Sequence, residues 1–366
     1  MNNENFLGFN GFVWFVGVVE DRNDPLKTGR LKVRALGSHT ENLEFLPTAD
    51  LPWASVMLPI TASGVSGIGQ SATGLLEGSW VLGYFRDGQR RQEPIILGSL
   101  PGRPIELADS QKGFYDPNEV YPKYKDEPDV NRLAVNAKDT EGNEINPHLF
   151  LTLRRATRIT GVPTAEFNTM VAASGDIILA SDGTTWNQPS IPYAAVYPYN
   201  HVYESESGHV LEFDDTANAE RIHLSHRTGS SIEYSPDGTR TDIIKNDFYS
   251  LISNDNQVYI QGNSDITIDG RSKLYINKEG GINNHYDIQI GPGANVNIQV
   301  DNGDINLHTI NGRLNLNSGG DTNLKVGGSL TIDVAGNLTQ NVEGSTTENT
   351  SGAVILRGAT IDLNPE

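Results

Sequence analysis

The sequence predicts an all-β protein in two unlike parts: a small closed barrel near the N-terminus and a β-helical prism, shared by three chains, at the C-terminus. Three observations carry this expectation. Five β-rich runs lie within residues 8–103, separated by segments rich in Gly, Pro, Asn and Ser. Glycine recurs with a spacing of eight at positions 312, 320, 328, 336, 344 and 352. Between Ile310 and Gly358 the apolar residues fall almost entirely on even numbers and the polar ones on odd numbers, which is the period of a strand with one buried and one wet face.

The barrel region, residues 1–103, contains the runs 11–21, 29–37, 52–60, 79–88 and 93–100. Five short strands joined by turn chemistry suit a small barrel, and the OB-fold is the leading candidate. Such barrels often take oligonucleotides or sugars, but residues 1–103 carry 9 Lys+Arg against 10 Asp+Glu. Without a basic excess, nucleic acid is not an expected partner.

Residues 104–192 read as a linker or intermediate region. Segment 114–129 (FYDPNEVYPKYKDEPD) is dense in Pro, Tyr and charge, as an extended connection would be. Segment 148–159 (HLFLTLRRATRI) fits a strand or a helix. Arg154, Arg155 and Arg158 suit a solvated face better than a partner contact. Residues 193–257 read as a β collar, because the runs VLEFDD, RIHLS and SIEYS are separated by TANAE, HRTG and PDG, all with turn-forming residues.

Residues 258–366 form the predicted prism. Its clearest units are VGGSLTID (326–333), VAGNLTQN (334–341) and VEGSTTEN (342–349), and the same phase appears in IQGNSDIT (260–267) and IDGRSKLY (268–275). A strand and a corner every eight residues is too short for one coil of a wide single-chain solenoid. Three chains around one axis, each supplying one face, bury the apolar stripe and leave no open edge. A monomeric repeat solenoid is the alternative. Two positions on the inward parity are polar, Gln340 and Glu348. Three Glu348 carboxylates at an axis would need a shared proton or a cation, which makes Glu348 a candidate axial ion site. If the parity slips there, Glu348 faces water, the cheaper outcome. Parity also breaks at Ile355, Ile361 and Leu363; the terminal Ile361, Leu363, Asn364 and Pro365 are a candidate docking face for a separate tip protein.

Composition narrows the function. The 366 residues hold 27 basic and 46 acidic side chains, and residues 104–366 take 18 and 36 of these, so nearly all of the net −19 lies beyond the barrel. Such a surface repels phosphates and anionic headgroups. No 18-residue apolar run occurs, no signal peptide is read at the start, and the absence of cysteine excludes disulfides and thiolate metal sites. His223 and His226 form H-x-x-H, but strand alternation puts them on opposite faces, against a shared metal. No nucleophile elbow, phosphate loop or H-E-x-x-H is present. No catalytic residue, metal or cofactor is expected.

Four stretches carry a family resemblance. GFVWFVGVVEDRNDPLKTGRLKVR (11–34), LPWASVMLPITASGVSGIG (51–69) and EGSWVLGYF (77–85) resemble the OB domain of the central spike, or tail-associated lysozyme, family of T-even-like contractile-tailed phages. YAAVYPYNHVYESESGHVLEFDDTANAERIHLSHRTGSSIEYSPDGTR (193–240) is similar to that family's approach to its triple-stranded β-helix, and the octad repeat resembles its needle. The resemblance implies a homotrimeric baseplate spike in the virion tail. Its barrels would dock on a trimeric tail hub, its C-terminal end would carry a PAAR-type tip protein, and it would meet the host outer membrane only in passing. The absence of an H-x-H pair, which could clamp an iron at a needle apex, supports a separate tip. Founding members carry a lysozyme domain between barrel and needle, whereas the interval here is too short and too turn-rich for one. Muramidase activity is therefore not expected. The alternatives are a type VI secretion spike of the VgrG type, which the early position of the barrel disfavours, a trimeric polysaccharide depolymerase, and a passive receptor-binding fibre.

Overall fold

A computed structural model describes residues 12–103, 105–106, 109–117, 129–131, 133–135, 178–179, 185–186, 193–276 and 285–362. The chain divides into two units, residues 1–272 and 273–366. Every regular element among the described residues is a strand or a single 3-10 turn, so the fold is all-β.

The first five strands are β1 (Val13–Asp21), β2 (Leu31–Ala35), β3 (Trp53–Val56), β4 (Trp80–Phe85) and β5 (Pro94–Ser99). They close into a barrel in the order β1-β2-β3-β5-β4, with β3 and β5 parallel and the other pairs antiparallel. This is the predicted five-stranded OB barrel, and each predicted run contains one strand. Inward-facing Phe15, Val19, Leu31, Val33, Ala54, Val81, Phe85 and Ile96 form its core. Alternation along β4 explains the choice, since Val81, Gly83 and Phe85 are buried while Trp80 is exposed. Gly83 is required here: a Cβ would collide with the Ile95 carbonyl oxygen and the Phe15 ring.

Two short strands, β6 (Ile178–Leu179) and β7 (Thr185–Trp186), pair antiparallel within the intermediate region. Next comes a five-stranded antiparallel meander: β8 (Asn200–Glu204), β9 (Val210–Asp214), β10 (Arg221–Ser225), β11 (Ser231–Tyr234) and β12 (Arg240–Ile243). Three of its four turns share one design. Ser205, His226 and Ser235 each donate their N–H across the hairpin and accept from a glycine three residues on. Those glycines, Gly208, Gly229 and Gly238, have φ of 88°, 91° and 82°, the left-handed residue that lets a type I turn close a twisted hairpin.

Beyond β12 the character changes. Every described residue from 246 onward is exposed. In the first unit the chain bends at 253–254, 261–262 and 269–270; in the second it bends at 319–320, 327–328, 335–336, 343–344 and 351–352. Over 253–270 and 311–352 the octad of the sequence is thus an octad of geometry, a bend every eight residues, whereas the turn at 292–293 falls off that spacing. Among these described residues the backbone bonds to itself once, from Ala294 N–H to Gly291 O at 3.4 Å.

Candidate assembly interface

The meander sorts its side chains in an unusual way. On one face, Tyr203, Leu211, Leu224 and Ile232 lie in register across four strands, and Phe213, Ile222 and Tyr234 make a parallel row beside them. All of these are exposed except the half-buried Leu211. The opposite rows hold Asn200, Asp214 and Arg221, then Glu212, His223 and Glu233, and these are buried. The charged face is covered and the apolar face is bare, the reverse of a free-standing domain. An apolar sheet face of this kind marks an interface.

The buried charges are tolerable because Arg221, Glu212, Glu233 and His223 pair with one another, while Asp214 accepts from the Thr216 N–H and hydroxyl. Arg221 reaches Glu212 at 3.0 Å and Glu233 at 3.1 Å, and its guanidinium lies over the Tyr193 ring. His223 Nδ1 sits 3.0 Å from Glu233. Burial alone would raise the Glu233 pKa, but the His223 hydrogen bond and the Arg221 charge hold it below the usual carboxylate range. Asn200 donates to Glu212 at 2.9 Å and to the Leu133 carbonyl at 3.1 Å, and Tyr193 donates to the same carbonyl at 2.7 Å. Leu133, from within the intermediate region, and Tyr193, at the start of the collar, therefore cap the polar face.

A second ionic group ties that region to the barrel. The pairing of β1 and β2 slips between Val19 and Asp21, a bulge that re-aims the Glu20 side chain. Glu20 meets Arg34 through two hydrogen bonds of 2.6 and 3.0 Å, both side chains fully buried. The Thr48 hydroxyl and the Phe114 N–H also donate to Glu20, while Arg34 donates to the Thr40 and Leu46 carbonyls. Gly113 lies flat on the guanidinium, where a Cβ would strike it. Thus the start of the segment read as extended linker is held against the barrel. Arg22 completes the tie, with 2.8 and 2.7 Å bonds to Glu206 of the first meander hairpin and a 3.2 Å contact to Glu77.

The residues singled out in the sequence are distributed as follows. His223 is buried in the ionic face, whereas His226 lies past the strand end against His209, so the H-x-x-H pair does not converge. The His226 pKa is lowered by burial and by the neighbouring His209 and Arg227. Among the described residues no group of three or more His, Asp or Glu is placed to hold a metal. Glu348 is exposed, and Ile361 is the described member of the terminal docking group. Leu363, Asn364 and Pro365, like Arg154, Arg155 and Arg158, lie outside the described residues. Sequence reading missed the ionic face altogether. The signal was present as charges at alternate positions of β10 and β11, which look like solvated residues until the covering segment is known.

A family model described as the Gp5 N-terminal OB domain matches residues 37–172. Protein Gp5 of Vibrio phage KVP40 is 39% identical over 292 residues, covering 74% of this chain and 66% of that protein. The chain thus aligns with just under two thirds of the KVP40 relative. The pre-baseplate central spike protein Gp5 of Enterobacteria phage T4 is 26% identical over 466 aligned positions, covering 74% of this chain and 80% of that protein. Since 74% of 366 residues is about 271, roughly 195 of those 466 positions have no counterpart in this chain.

Proposed function

We propose, for a chain that belongs to the Gp5 baseplate central spike proteins of T4-like phages, that three copies intertwine into a stiff needle driven through the host outer membrane when the tail contracts. Its place is the baseplate of the virion tail. The observation that carries the reading is the state of residues 246–362. Among the described residues there, the apolar side chains are all exposed and the backbone has almost no partner in its own chain. Strand edges and apolar stripes in this condition are unstable in water and prone to pair with other chains. Two further copies, each offset to supply the adjacent face, would satisfy both needs and bury the even-numbered residues. The bare face of the meander has the same requirement.

The needle works by stiffness, with no catalytic residue. The roughly 195 T4 positions without a counterpart fit the absence of a domain of the size a wall-degrading enzyme needs, so hydrolysis of the wall is supplied elsewhere or is not needed. In this assembly the near-neutral barrels dock on a trimeric tail hub, and Ile361, Leu363, Asn364 and Pro365 seat a PAAR-type tip protein. Electron density on the axis at Glu348 would mark an ion shared by three carboxylates; a side chain turned to solvent would remove that site.

The decisive test is mass in solution by light scattering after size exclusion. A single chain is 39.9 kDa, and the reading requires a species of about 120 kDa that persists in mild detergent. A stable monomer overturns it.

A further inference from the structure

The barrel leaves two unlike apolar patches bare. The first is the tip of the long connection from β3 to β4. From Leu51 to Leu76 the sequence runs 26 residues without an Asp, Glu, Lys, Arg or His, in a chain that is 20% charged. Leu75 packs on the core and Ala72 sits against Gly29. Met57, Ile60, Val65 and Ile68, in contrast, are 48%, 102%, 63% and 68% exposed. The tip has a defined conformation: Gly64, Ser66, Gly67 and Gly69 all have positive φ, between 52° and 102°, and Val65 and Ile68 form an isolated antiparallel bridge. A loop fixed in this way loses little entropy on binding.

The second patch is the outer face of β1 and β4. Trp14 stands opposite Tyr84 and Val16 opposite Leu82, with Trp80 one outward row further on. The alternate residues Phe15, Val81 and Phe85 fill the core. Phe12 extends the face, its ring centroid 5.1 Å from that of Trp14 and 4.8 Å from that of Tyr84. Phe12, Trp14 and Trp80 are 39%, 55% and 38% exposed. Beyond Tyr84, Arg86 is matched by Glu93 at 2.8 Å, so this pair adds no net charge. Both patches are open in the single chain, so neither covers the other. The strand that sends out the loop, β3, pairs with β2 and β5 and not with the strands of the aromatic face.

We propose that the 57–69 loop of one chain seats on the Phe12, Trp14 and Tyr84 face of a second copy, so that three barrels close into a ring. This rests on the trimer reading above and adds a contact between copies outside the needle. Symmetry selects the occupant. A ring of identical subunits is held by a heterologous contact, which needs two different surfaces on every subunit. The barrel has two, one a projecting aliphatic loop and the other an aromatic sheet face, whereas docking on an unrelated protein through either would leave the other bare. Charge agrees with this choice. Residues 1–103 carry 9 basic and 10 acidic side chains, so barrels approach one another without the repulsion that 18 against 36 imposes on the rest of the chain. Branched aliphatic groups on aromatic rings bury apolar area from both sides and strand no polar group. A few side chains on each side fall short of the area that holds free partners together. Chains already joined elsewhere keep their barrels at a high effective concentration, where a modest contact is enough.

The chain has no cysteine, so the test is cross-linking of the full-length protein. Ser66→Cys marks the loop and Arg86→Cys marks the edge of the aromatic face; both leave the apolar side chains in place. Treated with a short bis-maleimide, the double variant should give a ladder on a denaturing gel that ends at three joined chains, about 120 kDa. Each single variant alone should give no linked product, and the two co-expressed should stop at a pair of chains, about 80 kDa. Adding Ile60→Asp/Ile68→Asp should abolish the ladder while light scattering still reports the trimer. Val65→Ser should reduce it in the same direction if that variant folds poorly. A trimer that gives no ladder overturns the proposal, as does a ladder that survives the Asp substitutions. Linkage of Ser66→Cys to itself would place loop against loop and would also overturn it. A monomer by light scattering would instead overturn the trimer reading on which the proposal stands.

Discussion

Glu20 and Arg34 show how a single buried pair can organise a region. Their charges are wholly removed from water, and four further hydrogen bonds, from Thr48 and Phe114 and to Thr40 and Leu46, occupy their remaining atoms. Removing one partner leaves the other charge buried and unpaired. Arg34→Met should therefore lower barrel stability by about 3–5 kcal/mol, read as a loss of melting temperature by calorimetry. A change within error would mean that the pair is solvated. His39 adds a pH dependence, since burial first, and then the Arg34 charge, lower its pKa. The unfolded chain takes up a proton below about pH 6.5 while the folded barrel resists it, so stability falls as pH drops through that value. Glu233, whose pKa is also depressed, contributes stability above the carboxylate range that is lost on acidification through it. Melting temperatures from about pH 8 to about pH 3 should decline in both windows, and a flat profile would contradict both assignments.

Strands and turns behave as their spacing requires, but glycines that look alike in the sequence do unlike work. Gly83 holds a strand where β4, β5 and the Phe15 ring meet too closely for a side chain. Gly238 faces open space, with no atom within 4 Å of where a Cβ would stand, and serves only its φ of 82°. Gly83→Ala should therefore cost the barrel more than about 2 kcal/mol through overpacking, whereas Gly238→Ala should cost the meander about 1 kcal/mol through backbone strain alone. Denaturant midpoints of the two variants test the order; the reverse order would mean that the barrel relaxes around the added methyl. The barrel strands are legible in the sequence because alternation and turn residues coincide within each run. The ionic face of the meander is not, because charges at every second position match a wet face as well as a covered one. Among the described residues Leu133, 67 residues before Asn200, and Tyr193 lie against that face and turn it inward.

Across the whole chain, the octad makes its own prediction. If each eight-residue unit is one strand and one corner of a shared prism, deleting residues 326–333 removes a unit and keeps every later side chain on its own face. Deleting 327–333 removes seven residues and moves each later apolar side chain to the outside. The first deletion should preserve the trimer mass and a similar melting temperature, and the second should lose or sharply weaken the trimer. Equal behaviour of the two would show that parity does not govern assembly.

What the sequence determined by itself was periodic: the alternation, the eight-residue corner, the five barrel runs and the division of charge. Periodicity is a local property, set by the backbone geometry of strands and turns, so a linear pattern is enough to reveal it. The tertiary structure decided which face of each strand is covered. It placed Gly113 on Arg34, buried Arg221 and His223 between Glu212 and Glu233, and left Phe213, Ile222 and Leu224 bare. Covering depends on residues far away along the chain, and alternation states only that a strand has two faces, not which one will find a partner.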